Sequence, residues 1–265
     1  MSAPAVRTVT PSSCFEFLKS VLRGHGKSVT DSAMTILITP RRVAVFFSLV
    51  IFALTIIHGV GQFSRFYSGD GYLHGLVPMF SFGLEHNVPA YYSALTVLLC
   101  ALLLAIIATV ERKREASGAG YWWGLAAIFL FLALDEALAL HERIIAPTQL
   151  LLGVSGDRYF VWLLPYAMVM LVIAVMYARF LLSLPPGTRR RFILAGIVFL
   201  SGAVGLEIVG GLIHEALGAG SIIFVVVESL EDLLEMVGIL IFIHALMCHI
   251  CTEFGELRLR IADTP

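Results

Sequence analysis

The chain has 265 residues, of which 58% are hydrophobic and only 14% charged, and its formal net charge is −1. A mean hydropathy of +0.90 lies far outside the soluble range, where about a quarter of residues are charged, and excludes an ordinary water-soluble domain. The near-neutral balance gives no reason to expect a nucleic-acid partner, so the positions of the charges carry the information.

The first 42 residues carry Arg7, Lys19, Arg23, Lys27, Arg41 and Arg42 but no apolar run long enough for a cleaved signal peptide. Within this arm, 1–42, Ser12 or Ser13 can cap a short amphipathic helix that places Phe15, Leu18 and Leu22 on one face; a partly disordered tail is the equal alternative. Runs apolar enough to cross a hydrocarbon core, which takes about 20 residues of helix, follow at 43–63, 89–110, 121–145, 158–184, 190–215 and 221–250, and residues 251–265 form a short tail. The expected fold is therefore all-α: a polytopic membrane helical bundle of six transmembrane helices spanning 43–250.

Lysine and arginine set the expected orientation. Fifteen of them lie in the arm, the 111–116 loop, the 179–191 region and the tail, against three (Arg65, Arg143 and Arg158) on the other side. By the positive-inside rule both termini are expected on the cytoplasmic side of the membrane. Cys14, Cys100, Cys248 and Cys251 sit in the arm, inside an apolar run and at the end of the last span, which is no secreted disulfide framework. Cys248-His249-Ile250-Cys251 is a C-x-x-C without a second ligand pair, and reads as two thiols at a helix end.

The last span holds the main anomaly. Glu228, Glu231, Asp232 and Glu235 follow at i, i+3, i+4 and i+7 and stack on one helical face. A carboxylate at membrane depth costs roughly 2.5 kcal/mol or more, so that stripe must face a protein interior. With the orientation above, Asp135 and Glu136 of the third span lie past the midplane, and His141 and Glu142 approach the outer surface. Glu207 of the fifth span sits in its outer half, with His214 seven residues further on the same face, and His58 of the first span falls in the outer half too. Acids and histidines of four spans thus converge at one depth beneath a long outer loop, 64–88.

So many carboxylates in one low-dielectric pocket cannot all be ionised; some must be protonated, paired with Arg143 or Arg158, or neutralised by cations. Glu and His in a helical bundle are the donors of carboxylate-bridged metal sites, although no span has the Glu-x-x-His spacing of that class. The expected ligands of a divalent metal ion, of unspecified identity, are Asp135, His141, Glu142, Glu207, His214, Glu228, Asp232 and Glu235. In a metal-dependent enzyme acting on a lipid or other membrane-embedded substrate, Glu136 and Glu231 remain as acid–base groups. A proton- or cation-coupled transporter and a purely structural polar network are the alternatives, and no Ser-His-Asp arrangement or G-x-S-x-G motif points to nucleophilic hydrolysis.

Three segments also carry a resemblance. Glu85-His86-Asn87-Val88-Pro89 runs through Tyr91-Tyr92-Ser93 into the second span. Leu134-Asp135-Glu136 is followed by His141-Glu142, and Glu231-Asp232-x-x-Glu235-Met236-x-Gly238 lies in the last span. The set resembles a family of uncharacterised bacterial multi-pass membrane proteins, with Tyr91 where Trp is more usual and Asp232 where Glu is common. The resemblance implies that the acids chosen by depth are hallmark positions; it adds Glu85 and Asn87 and implies no activity.

Overall fold

The structure is a computed structural model and describes residues 39–141, 143–144, 147, 150 and 163–255. The N-terminal arm up to residue 38, the segment 151–162 with Arg158, Glu142 and the tail from 256 lie outside the described residues. Among the described residues there is no strand, and six helices are long and apolar enough to cross a membrane. The chain is an all-α polytopic bundle.

Each long helix begins and ends for a local reason. α1 (Pro40–Phe63) starts on Thr39, whose side chain accepts from the Arg42 N–H, with Pro40 preset for the first turn; it continues into a π-helical turn, Ser64–Ser68. After the short α2 (Leu76–Phe80), Asn87 caps α3 (Val88–Lys113) by accepting from the Ala90 N–H at 3.1 Å. α4 (Ala119–Leu138) stops where Ala139 turns left-handed at φ 47°. That is seven residues short of the expected 145, because no helix passes through such a residue.

α5 (Leu163–Ser183) turns at Pro185 into α6 (Pro186–Leu200). A π-helical segment, Ser201–Leu206, then leads into α7 (Glu207–Leu217), so that α6 and α7 form one long rod. Ser221 caps the 33-residue α8 (Ile222–Phe254) by accepting from the Phe224 N–H. The boundaries otherwise fall close to those expected from hydropathy.

α8 is the axis of the bundle, packing on α1, α3, the α6–α7 rod and, through α3, the α3–α4 hairpin. Half of its apolar window is buried, against 6% for Pro165–Ser183 of α5, which lies at the lipid-facing edge. Where the α6–α7 rod meets α8 the backbones nearly touch. A β-carbon on Gly202 would overlap the Glu231 carbonyl, and one on Gly238 would overlap the Phe199 backbone, which is the small-residue packing that membrane helices use.

One end of the bundle carries Arg41, Arg42, Arg112, Lys113, Arg114, Arg179 and Arg189 to Arg191; here it is called the basic end. Its core is apolar and aromatic: Cys100, Leu104, Ile107, Ile243 and Leu246 are sealed from solvent. Trp122 stacks on His249 with ring centroids 5.0 Å apart, and Thr188 Oγ1 lies 3.2 Å from His249 Nδ1. His249 is thus a buried histidine held by Thr188 at Nδ1 and by the face of Trp122. Cys251 is exposed and Cys248 leans on His244 one turn earlier, as expected of two thiols at a helix end.

The glycine contacts predict a sharp contrast. Gly202→Ala and Gly238→Ala should each lower stability by about 1–3 kcal/mol through overpacking. Gly196→Ala on the same rod, with nothing within 4 Å of its new methyl, should be neutral or stabilise by up to about 1 kcal/mol. Thermal melts in detergent check this.

Candidate functional site

The opposite end is closed by the 64–87 segment, which folds back over the helices. Phe82, 2% exposed, stacks on His58 with centroids 4.4 Å apart. Its backbone N–H donates to His58 Nδ1 at 2.9 Å, so the neutral ring carries its proton on Nε2, which lies 2.8 Å from Ser229 Oγ. Ser229 in turn donates to the Val225 carbonyl one turn back. Thus α1, the loop and α8 are joined through one imidazole, and His58 is a structural clasp.

The next residue reaches the acidic stripe itself. The Gly83 N–H donates to Asp232 Oδ2 at 2.8 Å. Gly83 has φ +71°, and a β-carbon there would overlap the Glu228 carboxyl, so both backbone conformation and space require glycine. Asn87 does more than cap α3, for its Nδ2 donates to the Ser81 carbonyl at 2.6 Å and fixes the loop's return. At the loop's far end Asp70 accepts from the N–H groups of Leu73 and Tyr72, which hold its carboxyl below the usual range.

The turn at Ala139 decides where His141 goes. On a continuous helix a residue six beyond Asp135 would sit on another face, but the left-handed residue folds the chain back. His141 Nδ1 then lies 3.4 Å from Asp135 Oδ2 and its Nε2 lies 3.4 Å from Glu85 Oε1. Burial alone would lower the His141 pKa, yet the hydrogen bonds with Asp135 and Glu85 prevail and push it up to about 10. Tyr166 of α5 donates to Asp135 Oδ1 at 3.0 Å.

The remaining acids converge on these groups. Glu136 lies within electrostatic range of Glu85, Asp232, His141 and Asp135. Glu235 is in range of Glu136, Asp232, Glu207 and His141, and Glu228 is in range of Asp232, Glu207 and Arg65. Glu207, 5% exposed, shares a side-chain hydrogen bond with Glu231, an arrangement that needs one proton between the two carboxyl groups. The loop, α4, α7 and α8 thus each contribute acids within electrostatic range of acids on another element.

His214 packs edge-on to Phe224, with centroids 5.3 Å apart, one turn of α8 before Glu228. Arg143 is exposed, and Arg65 lies within electrostatic range of Glu228. Among the described residues no group of three or more His, Cys, Asp and Glu side chains is arranged to hold a metal ion as it stands.

Four contributors had weak or no signal in the sequence. Gly83 and Tyr166 look like an ordinary loop glycine and an interfacial tyrosine, Ser229 lies in no recognisable motif, and Glu85 enters only through the resemblance. Gly83→Ala should cost about 2–4 kcal/mol, the sum of a left-handed-backbone penalty and overpacking. Gly69→Ala, also at positive φ but with nothing within 4 Å, should cost only the backbone part. Adding Glu228→Ala to Gly83→Ala should recover most of the difference in a melting experiment.

No curated protein and no solved structure shows significant similarity to the chain. Residues 43–250, most of its length, match the family described as Domain of unknown function (DUF8692), and the chain belongs to that family.

Proposed function

We propose that this multi-pass membrane protein handles cations at its acidic end. The carboxyl groups of the loop, α4, α7 and α8 act as one cluster, neutralised by protons, by His141 and by Arg65, and a divalent cation exchanges for those protons. The observation that carries this reading is the surroundings of Glu235, which has Glu136, Asp232, Glu207 and His141 within range, drawn from three helices and the segment after α4. So much negative charge at membrane depth requires compensation, and the carboxylate oxygens of Glu207, Asp232 and Glu235 suit a hard divalent ion.

Glu207, Asp232 and Glu235 are the central ligands in this reading. Asp135, His141 and Glu228 stand around them, and Glu142 and His214 complete the expected set. Because no three of the described groups converge at ligand distance, binding draws side chains inward and leaves water in part of the coordination shell, as hard divalent ions tolerate. His141 gives up its proton if it ligates. Glu136 and Glu231 are left to take and return protons, toward a polarised membrane-embedded substrate in an enzyme or toward the next acid in a transporter.

The hydrogen bond between Glu207 and Glu231 favours the second reading, transport, because a proton shared between two acids is a step of a relay. The basic end opposite the cluster supports placing both termini in the cytoplasm and the cluster toward the outside of a bacterial inner membrane.

Protein purified without chelator and titrated with Mn²⁺ should bind close to one ion per chain, release protons on binding, and bind more tightly as pH rises. Asp232→Asn and Glu235→Gln should abolish that binding. Absence of binding at every pH, with both variants simply melting earlier than the parent, would reduce the cluster to a structural network. Cation flux into proteoliposomes, lost in Glu235→Gln, separates transport from static binding.

A further inference from the structure

A cavity of about 390 Å³ opens where α1 ends, between the folded-back loop and α8. That volume is within the range of small-molecule sites, about 300–1,000 Å³. Its polar lining is Gln62, Arg65, Tyr72, Ser81 and Glu228, with Phe82 beside them. The Gln62 amide donates from Nε2 to Ser81 Oγ at 2.9 Å, while its Oε1 is buried without a partner. An unsatisfied buried polar atom is a cost that a native fold rarely keeps without a reason.

The lining has a charge pattern. Arg65 offers the planar donor fork that suits phosphate, and Glu228 and the Gln62 carbonyl oxygen are acceptors that suit an N–H-bearing cation. Arg65 and Glu228 already feel each other electrostatically, so a molecule carrying both signs can enter without leaving either charge uncompensated. The rim places the site at the membrane surface. Phe63 and Tyr67 stack at 5.1 Å and, like Tyr72, face outward at 63%, 81% and 66% exposure, as interfacial aromatic anchors do.

We propose that this cavity is a headgroup site for an aminophospholipid, a lipid whose phosphate is joined to a primary ammonium. The phosphate sits on Arg65, and the ammonium donates to Glu228 and to the orphaned Gln62 oxygen. The acyl chains leave over Phe63 and Tyr67 into the bilayer. This assignment does not depend on the cation reading, with which it shares Glu228 and Arg65 but none of the central ligands.

Lipid titration of the full chain in detergent, followed by native mass spectrometry, tests it with dioleoyl phosphatidylethanolamine, phosphatidylcholine and phosphatidylglycerol. Phosphatidylethanolamine should bind on the order of tenfold more tightly than either competitor, because choline has no N–H for the orphaned acceptor and phosphatidylglycerol has no cation for Glu228. Arg65→Gln and Gln62→Met should erase that preference, Gln62→Met without touching Mn²⁺ binding. Glu235→Gln should keep the lipid preference, so failure of the cation reading and failure of this one are distinguishable.

Equal retention of the three lipids would overturn the proposal, and so would a preference for phosphatidylglycerol, which would make Arg65 a plain anion site. Displacement of the lipid by equimolar free glycerophosphoethanolamine would assign the cavity to a soluble zwitterion instead. Should the variants fail to fold, the three-lipid series on the unaltered chain decides alone.

Discussion

The structure depends on one constraint: carboxyl groups placed at membrane depth must find counter-charge, protons or hydrogen-bond donors inside the protein. Glu228, Glu231, Asp232 and Glu235 form a stripe on the helix that the others surround, and the features of that end answer it. Gly83 brings a backbone N–H to Asp232. The left-handed turn at Ala139 brings His141 back onto Asp135 and Glu85. Arg65 lies within electrostatic range of Glu228, and the side chains of Glu207 and Glu231 meet in a hydrogen bond.

The two ends of the bundle divide the work. At the basic end, apolar and aromatic packing around Leu104, Trp122, Ile243 and Leu246 makes a dry, tightly filled core that fixes the positions of α3, α4, α6 and α8. That rigidity lets the other end hold polar groups close together. Gly202 joins the two, because its contact with the Glu231 carbonyl sets how near the rod carrying Glu207 comes to the stripe on α8. The π-helical segment Ser201–Leu206 ends just before Glu207; a π turn spends an extra residue, about 100° of rotation, and so sets the face on which Glu207 emerges.

Much of this was legible in the residues, for physical reasons. Twenty-residue apolar runs have few alternatives to a spanning helix, and acids spaced i, i+3, i+4, i+7 can only share a face. What stayed hidden was non-local or depended on a single dihedral. Nothing in the chemistry of Ala139 announces a left-handed residue, so the expected third span runs on to 145 and depth alone carries His141 toward the outer surface, without the turn that brings it to Asp135. Gly83 and Ser229 acquire their roles only from a loop that returns across α8. Asn87, a hallmark through the resemblance alone, proves to be a helix cap and a loop tie rather than part of the acidic site.

The most direct measurement is infrared spectroscopy of the protein in a bilayer at neutral pH, resolving protonated carboxylic C=O bands from ionised carboxylate. If the acids of separate helices share one poorly solvated pocket, protonated bands are present. A component of them then disappears in Glu231→Gln, and their intensity falls when a divalent cation is added. A spectrum with carboxylate bands alone, unchanged by either, would mean that these groups are separately solvated, and it would contradict the account.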